Sequence, residues 1–493
     1  MKKEILRMER VTLREDGDTQ LKNFSLTVWE GEIMGLVPVD NHGLYPLLNL
    51  LRQNTPIHYG YIYYNGRLVN QWRGCAQKPN RITLIQNRSS LAEKLTVADN
   101  IFVLRPGFKK RLIKPRILRE QLEPFLADIQ MEISADAYVE SLSVFERFVV
   151  ELLKGVVAGH RLIILFDVST FISDAELEKL RGILRYYAGK GISFLYVAPH
   201  FEEVRQICGR TALMMNGQIT KIFHSFDTVP ELFLLNCTEE FERMVKEQMA
   251  RKPDSQTERR VALRLKGLKY REMGPLDFFV SPGECLVLQD LDNQVIPGLL
   301  SVLSGEKRPE KGTVEIGGSP LQYGRDRRLA VIQELPARTM LFSNMNYLDN
   351  LCFNLDHRLP GVWLGGGVKK SLRMELADRL GREVFDIPVD ELTEGQKYDL
   401  IYTRILLQNP DVVFCVQPFK GAGVSQRIHI YRLLEELLEK GIAVVILAVN
   451  LADSMALADR LLRVRKGKEV RQYDREEFGR LPVNTPWLYL YQK

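Results

Sequence analysis

The sequence predicts an α/β protein made of two homologous units in tandem, each built around a mainly parallel β-sheet. Three observations lead to this prediction. A chain of 493 residues is too long for a single core. Phrases of the first half return in the second half at a nearly constant offset. Short apolar runs alternate with amphipathic helical windows in both halves, which is typical of α/β units.

Five phrases of the first half recur in the same order in the second half. GEIMGLV from Gly31 returns 252 residues later as GECLVLQ, and GYIYYNGRLV from Gly60 returns 252 residues later as GTVEIGGSPL. TVADNIF and LSVFE return 250 residues later as YLDNLCF and LTEGQ, and the strand-like run that Arg210 opens is answered by one that Arg460 opens. We therefore predict two homologous domains and a polar linker, at residues 1–245, 261–493 and 246–260 respectively.

Within each unit, continuous apolar runs predict buried strands, and apolar residues spaced three to four apart predict surface helices. In the first unit, Arg161–Phe166 and Ile192–Val197 are strand-like and flank a helical window that starts at Ser173–Asp174. The second unit repeats this order with VVFCV, SQRIHIYRLLEELLEK and AVVILAV. A strand, helix, strand order of this kind favours a parallel sheet.

Composition excludes several classes of protein. The 68 basic and 62 acidic residues are interleaved, and a net charge of +6 indicates a solvated surface, so no nucleic-acid partner is expected. No apolar stretch approaches the roughly 18 residues that span a bilayer, and the N-terminus returns to charge too quickly for a signal peptide. The six cysteines lack the spacing of a zinc site or a disulfide framework. We expect a cytoplasmic protein.

Taken in order, these elements resemble the ATP-binding subunits of bacterial monosaccharide importers of the ribose, galactose and arabinose type. TVADNIF, LFSNMNYLDNL, NP before an apolar run, and DRLLRVRKGKEV are close to that family's wording, and the resemblance covers essentially the whole chain. It implies two P-loop NTPase-like ATP-binding cassettes, each with a mainly parallel sheet core, an antiparallel β subdomain and a helical subdomain. It also implies ATP and Mg as cofactors, and permease subunits at the inner face of the membrane as partners.

The first phosphate-binding loop has lost most of its characteristic residues. Such a loop needs glycines whose backbone N–H groups converge on the phosphates, a lysine for the terminal phosphates and a hydroxyl for magnesium. The segment reads PVDNHGLYPLL, in which only Gly43 remains of the glycines. Leu44 stands at the lysine position, Tyr45 at the hydroxyl position, and Pro46 follows without an N–H.

The second loop, DLDNQVIPGLL, has changed in the same direction. Asp290 and Asp292 replace small or neutral residues, Ile296 stands at the lysine position, and Pro297 follows. Two carboxylates that face a triphosphate would repel it. Because hydrogen bonds to charged groups contribute about 1.5–3 kcal/mol each, we predict that neither loop binds ATP tightly.

The carboxylates that the family uses around magnesium are also depleted. Asp167 is interpreted as the remaining carboxylate that orients magnesium, and Val168 occupies the position of the glutamate that polarises the attacking water. In the second unit, Val416 and Gln417 replace both carboxylates. By the resemblance, the catalytic positions Val168 and Gln417 are degenerate and His200 is a remnant, so ATPase activity is predicted to be weak or lost.

The remaining family motifs are partly preserved. The signature loop has Phe145 in place of glycine in the first unit, whereas the second unit keeps Thr393 and Gly395. Asn87 stands where a glutamine would couple magnesium to the membrane partner, and His200 keeps the switch position. In the family's head-to-tail arrangement, the first loop would share a site with LTEGQ.

Each surviving residue also has a purely structural interpretation. Asp167 can cap the following turn, His200 can be a hydrogen-bonded turn histidine, and Gly43 can serve a turn that needs positive φ. Thr393 can be a helix N-cap, because Gln396 follows three residues later. The residues alone leave these alternatives open.

The combined pattern predicts a non-catalytic, pseudo-ATPase subunit of a sugar import system that docks on a permease as a scaffold or regulator. Apolar residues at the former ATP positions would support self-association of the chain or pairing of the two cassettes without nucleotide. One alternative is a functional import ATPase with atypical sites. Another is a soluble regulatory protein that uses the fold for protein–protein contacts.

Overall fold

The computed structural model describes residues 3–15, 17–75, 79–86, 89–103, 114–199, 201–224, 260–353, 366–422, 424–451 and 454–481. Asn87, His200 and the predicted linker up to residue 259 lie outside the described residues. By its internal packing the chain divides into two compact units, Met1–Glu239 with Ala422–Ser425, and Glu240–Gly421 with Gln426–Lys493. The linker and the domain limits proposed from the sequence stay predictions.

The first unit alternates strands and helices along the chain. Its described strands are β1 (Glu4–Glu15), β2 (Asp18–Trp29), β3 (Ile33–Pro38), β4 (Tyr59–Tyr64), β5 (Arg67–Gln71), β6 (Gly74–Cys75), β7 (Ile82–Ile85), β8 (Leu162–Phe166), β9 (Ser193–Val197), β10 (Arg210–Met215) and β11 (Gln218–Phe223). Its described α-helices are α1 (Leu44–Arg52), α2 (Pro115–Asp128), α3 (Val144–Val157), α4 (Asp174–Gly189) and α5 (Phe201–Ile207). Short π or 3-10 turns cover Asp99–Val103, Val139–Ser141 and Val168–Thr170.

Two sheets form the frame of the first unit. The order β2-β1-β4-β5-β6 makes an antiparallel sheet, and the order β11-β10-β3-β9-β8-β7 makes a mainly parallel one. Only the β10–β11 pair is antiparallel in the second of these. β3 therefore lies inside the parallel sheet, with its carboxyl end next to the start of α1, and this confirms the predicted α/β class.

The second unit repeats the element order of the first. Its described strands are β12 (Leu263–Tyr270), β13 (Met273–Val280), β14 (Cys285–Asp290), β15 (Lys311–Ile316), β16 (Ser319–Pro320), β17 (Leu329–Ile332), β18 (Val412–Val416), β19 (Ala443–Ala448), β20 (Arg460–Arg465) and β21 (Lys468–Asp474). Its described α-helices are α6 (Val295–Leu303), α7 (Pro336–Thr339), α8 (Tyr347–Cys352), α9 (Gly366–Leu380), α10 (Glu394–Gln408) and α11 (Val424–Glu439). Its 3-10 turns are Val384–Asp386, Val389–Glu391, Ser454–Ala456 and Arg475–Arg480.

The sheets of the second unit have the same topology. An antiparallel sheet has the order β13-β12-β15-β16, and a mainly parallel sheet has the order β21-β20-β14-β19-β18-β17. The two mainly parallel sheets correspond strand for strand, since β14 stands between β19 and β20 as β3 stands between β9 and β10. The antiparallel sheets differ by one described strand, with five in the first unit and four in the second. The structure thus confirms that the repeated phrases belong to two units of one fold.

Local sequence explains where the predicted elements begin and end. The strands predicted from residues 161 and 192 are β8 and β9, each starting one residue later than predicted. Ser173 and Glu176 form a reciprocal capping box at the start of α4, which satisfies backbone donors that the first turn leaves unpaired. In the second unit, the predicted strand VVFCV is β18, and the predicted strand AVVILAV contains β19.

An arginine–glutamate pair is buried at the start of β10 in the first unit and at the start of β20 in the second, the two strands that the repeated arginine opens. Arg210 lies 2.8 Å from Glu32 in the first unit, and Arg460 lies 2.7 Å from Glu284 in the second. Both side chains of each pair are largely withdrawn from solvent. The pair joins the start of the strand to the turn before β3 or β14, which explains why this arginine recurs at 250 residues.

The described cysteines are free thiols, and most of them are buried. Among the described residues the free cysteines are Cys75, Cys208, Cys285, Cys352 and Cys415. Burial raises the pKa of the Cys285 thiol well above its ordinary value, so this side chain behaves as a small apolar residue. Within the described part of the chain, no helix combines the length and apolar character needed to cross a bilayer.

Candidate functional site

The first loop runs from the carboxyl end of β3 to the start of α1. Gly43 caps this helix with φ of 74°, a left-handed conformation that favours glycine. A Cβ atom at this position would lie 2.0 Å from the carbonyl oxygen of Gln20, so the loop also needs glycine for close approach. These two constraints support the structural interpretation of Gly43, independently of any phosphate.

The residue at the lysine position of the first loop belongs to the apolar core, and the residue at the hydroxyl position is half-buried. Leu44 is 1% exposed and packs in the core cluster between the two sheets. The ring of Tyr45 meets that of Phe166 edge-on, with centroids 5.7 Å apart. A side chain that is buried in this way does not replace the function of a lysine directed at a phosphate.

Backbone amides of the first loop are engaged by the chain's own polar groups. The carboxylate of Asp40 accepts the N–H of His42 and the N–H of Asn216, each at 2.9 Å. The N–H of Leu44 donates to the carbonyl of Asn41 at 3.2 Å. Asp40 therefore fastens the loop to the turn between β10 and β11.

The second loop, from β14 to α6, is organised around a buried carboxylate. Asp290 is the last residue of β14 and is 0% exposed. Its Oδ2 atom accepts the N–H of Val295 at 2.6 Å and the N–H of Ile296 at 2.9 Å. These are the first two amides of α6, at the positive end of the helix dipole, where a phosphate-binding loop would hold its anion.

The two carboxylates of the second loop have different roles. The prediction that both face the phosphate position is wrong, because only Asp290 turns into the loop. The Oδ2 atom of Asp292 accepts the N–H of Lys466 at 2.6 Å. Asp292 therefore fastens its loop to the turn between β20 and β21, as Asp40 does in the first unit.

The environment of Asp290 opposes its ionisation only in part. Burial raises the pKa of the Asp290 carboxyl above its ordinary value. Hydrogen bonds from the backbone N–H groups of Ile296 and Val295 act in the opposite direction, since they favour the charged form. The carboxylate is therefore held by the amides that surround it.

The structure pairs Asp167 with Gln417. Each is the first residue after its strand, each has left-handed φ (53° and 43°), and each donates its N–H to the neighbouring strand. Phe166 then corresponds to Val416. This pairing differs by one residue from the sequence interpretation, which matched Asp167 with Val416 and Val168 with Gln417.

This pairing changes how the carboxylate positions of the first unit are interpreted. The interpretation of the second unit, carried over to the first, places Phe166 at the magnesium position and Asp167 at the glutamate position, whereas the interpretation of the first unit places Asp167 at the magnesium position. Val168 is fully buried and only opens a short turn. Asp167 stands directly before that turn in a left-handed conformation. A magnesium role for Asp167 stays a prediction.

In the second unit, the buried ammonium group of Lys420 lies near Gln417 and shares its partner, Glu334. The Nε2 atom of Gln417 donates to Oε1 of Glu334 at 3.0 Å, and Lys420 forms an ion pair with the same oxygen. The Lys420 side chain is only 5% exposed. The carboxylate of Glu334 is thus already neutralised by a side-chain ammonium.

The two signature loops are helix N-termini with capping boxes. Thr393 accepts the N–H of Gln396 at 3.3 Å and donates its own N–H to that side chain at 2.9 Å, which confirms the capping interpretation. Phe145 of the first unit is the counterpart of Gly395. Its side chain is buried, and its ring stacks on that of Phe148 with centroids 6.4 Å apart. A Cβ atom at Gly395 would meet nothing within 4 Å, so local packing does not require glycine there.

A histidine that the sequence analysis missed lies beside the second signature loop. The Nε2 atom of His429 on α11 lies 2.9 Å from Asp399 on α10. The Asp399 carboxylate beside it raises the pKa of His429 above its ordinary value, while burial opposes this rise. The two residues are 30 positions apart in different helices, so neither motif nor spacing indicated the pair.

This ion pair predicts a stability that depends on pH. Because the pKa of His429 is higher in the folded chain, the pair contributes fully below the unfolded value of about 6.5. Its contribution is lost as the pH rises through the folded pKa. We expect His429→Gln to lower the unfolding temperature most in mildly acidic buffer and progressively less above that pH. A difference in unfolding temperature between wild type and variant that does not change with pH would contradict this assignment. Asp399→Asn is the matched control, because it removes the other charge of the pair and should give the same dependence on pH.

The residues present do not fit a magnesium–triphosphate complex. Both lysine positions, Leu44 and Ile296, are buried and apolar, and Asp290 takes the leading amides of α6. Among the described residues there is no group of three side chains that could hold a metal ion. We therefore derive no chemical step through ATP or magnesium.

Comparison with known proteins places this geometry in context. No family model matches the chain. The chain is 24% identical over 491 residues to the ribose import ATP-binding protein RbsA of Shouchella clausii, covering 96% of both chains. It is 25% identical over 474 residues to the arabinose import ATP-binding protein AraG 2 of Burkholderia ambifaria, covering 94% of this chain and 91% of the other. The solved structure of RNase-L Inhibitor has the same fold, with a TM-score of 0.58 and 15% identity, over 96% of this chain and 92% of that one.

Proposed function

Since the chain is a tandem ATP-binding cassette protein related over nearly its whole length to ribose and arabinose import ATP-binding proteins, we propose that it is a non-catalytic subunit of a sugar import system. The observation that carries this proposal is the burial of both lysine positions. Leu44 is 1% exposed and Ile296 is 4% exposed, each in an apolar core cluster. The proposed role is that of a scaffold or regulator.

Burial of these two positions removes the main source of phosphate affinity. The lysine of a phosphate-binding loop has to reach the terminal phosphates from the start of the helix. An aliphatic side chain in the core offers no charge, and the core around it would be disrupted by a charged replacement. The residues Val416 and Gln417, which carry no carboxylate at the end of β18, support the same conclusion.

The proposed partners are permease subunits, and the proposed location is the inner face of the cell membrane. Support comes from the relatives, which are named as import ATP-binding proteins, and from the retained cassette topology in both units. A scaffold needs a folded surface rather than hydrolysis, and the described residues of both units include large clusters of buried apolar side chains. Pairing of the two cassettes without nucleotide belongs to the same proposal.

One observation favours a second candidate function, an import ATPase with one atypical site. Asp167 is a buried carboxylate at the counterpart of Gln417, the position interpreted as water-polarising. An aspartate there could orient a water molecule if nucleotide were bound nearby. This candidate requires that ATP bind to a loop without lysine, which makes it the weaker of the two.

Phosphate release by the full chain tests the proposed function. We expect the rate with millimolar Mg-ATP to equal that of a buffer blank and that of Asp167→Ala, because both lysine positions, Leu44 and Ile296, carry buried apolar side chains. Purification of wild type and variant by the same procedure controls for contaminating ATPases. Hydrolysis that is present in wild type and lost in Asp167→Ala would replace our proposal by the second candidate.

A further inference from the structure

We propose that the loop between β14 and α6 is an anion-binding cradle whose permanent ligand is the chain's own Asp290 carboxylate. The loop would take a small carboxylate or a phosphate of similar geometry only when this side chain is removed. The inference deepens the proposed function of the second unit and rests on it for its biological meaning. It explains how that unit keeps a phosphate-loop backbone without a nucleotide.

The hydrogen-bond geometry is that of a bound anion. One oxygen of Asp290 receives two consecutive helix N-terminal N–H groups, at 2.6 and 2.9 Å. Charge-assisted bonds of this length are roughly twice as strong as neutral ones. The helix that supplies them, α6, runs for nine residues, long enough for its dipole to favour negative charge at this end.

The burial of Asp290 distinguishes this loop from an ordinary helix cap. An N-cap side chain follows a turn and is usually exposed, whereas Asp290 ends a central strand five residues before the amides it binds and is 0% exposed. Its second oxygen, Oδ1, is buried and has no hydrogen-bond partner among the described residues. A strand-end carboxylate that reaches forward into the loop occupies the space where an external anion would lie.

The first unit provides an internal comparison. The counterpart of Asp290 is Pro38, the last residue of β3, which has no carboxylate. In that unit the N–H of Leu44, the counterpart of the Ile296 N–H, donates to a backbone carbonyl. In the first unit, a backbone carbonyl therefore accepts the N–H that a carboxylate accepts in the second unit. The carboxylate at the end of the strand is a specific property of the second unit.

Chemical rescue by formate tests the proposal in the full chain. Asp290→Ala deletes a carboxylate group and leaves a space that matches formate. We expect the variant to lower the unfolding temperature by roughly 5–10 °C, because two buried N–H groups lose their acceptor. We expect sodium formate to restore at least half of this loss relative to sodium chloride of equal ionic strength. Wild type should not respond to formate.

Two control variants separate anion loss from general destabilisation. Leu299→Ala removes a buried side chain from the same helix, so we expect a comparable loss of unfolding temperature without rescue by formate. Asp290→Asn keeps an acceptor oxygen but not its negative charge, so we expect it to lose part of the unfolding temperature that Asp290→Ala loses. Equal rescue of Asp290→Ala and Leu299→Ala would overturn the proposal, as would full stability of Asp290→Ala in chloride.

Amide hydrogen exchange in wild type keeps the proposal testable if Asp290→Ala does not fold. We expect the amides of Val295 and Ile296 to exchange at least about 100-fold more slowly than an exposed loop amide. Exchange at the rate of an exposed loop would overturn the proposal. These measurements contain no nucleotide, so ATP hydrolysis by wild type would refute the proposed function without changing their outcome.

Discussion

Replacement of Leu44 by lysine is expected to destabilise the first unit by about 3–5 kcal/mol and not to create an ATP site. Leu44 is 1% exposed within the core cluster of the first unit. A lysine there would place an ammonium group among apolar side chains without a partner, which costs far more than a phosphate-loop lysine gains. Chemical denaturation of the full chain measures the loss.

Leu44→Met is the matched control for this prediction, because it keeps both volume and apolar character. We expect it to cost less than about 1.5 kcal/mol. A stable Leu44→Lys variant that binds Mg-ATP would show that the side chain at this position can leave the core. In that case the first loop would be a phosphate loop that lacks only its charge.

Removal of the Arg460 guanidinium is expected to destabilise the second unit by about 3–5 kcal/mol. Arg460 binds Glu284 at 2.7 Å and donates to the carbonyl of Phe279 at 3.0 Å, with only 7% of its side chain exposed. Arg460→Ala leaves the Glu284 carboxylate withdrawn from water without its cation. The free energy of unfolding of Arg460→Ala, compared with wild type, measures the effect.

The control for this prediction is a surface pair of the same unit. Lys266 and Glu315 lie 2.8 Å apart on neighbouring strands, with the lysine side chain 54% exposed. We expect Lys266→Ala to change stability by no more than about 1 kcal/mol. Similar losses for Arg460→Ala and Lys266→Ala would contradict the structural role assigned to the repeated arginine.

The features predicted correctly from sequence are those that depend on local pattern. β8, β9 and β18 are short continuous apolar runs, and burial on both faces of a parallel sheet produces such runs. The start of α4 and the Thr393 cap depend on residues three positions apart, which a single stretch of sequence displays. Because the repeated phrases occur in the same order in both halves, they predicted that the corresponding strands and helices follow in the same order.

The features that sequence could not predict depend on side-chain direction and on distant partners. Asp290 and Asp292 are two residues apart, and only the backbone path of the loop decides that the first turns inward and the second outward. Lys420 meets Glu334 across 86 positions of sequence. No periodicity encodes a contact between a loop and a strand end at such separation.

The one-residue difference at Asp167 shows a further limit of motif matching. The sequence interpretation assigned Asp167 by its identity, as the aspartate that ends an apolar strand. The structure assigns it by backbone position, since Asp167 and Gln417 share a left-handed φ and the same strand contact. Where a motif has lost most of its residues, backbone equivalence between the two units is the stronger guide.

Calorimetric titration of the full chain with Mg-ATP tests the central claim most directly. The claim is that buried apolar residues at the lysine positions, together with the Asp290 carboxylate, leave no site for the triphosphate. The account predicts no saturable heat at millimolar Mg-ATP and an unfolding temperature that Mg-ATP does not change. A saturable isotherm, accompanied by a rise of several degrees in the unfolding temperature, would contradict it.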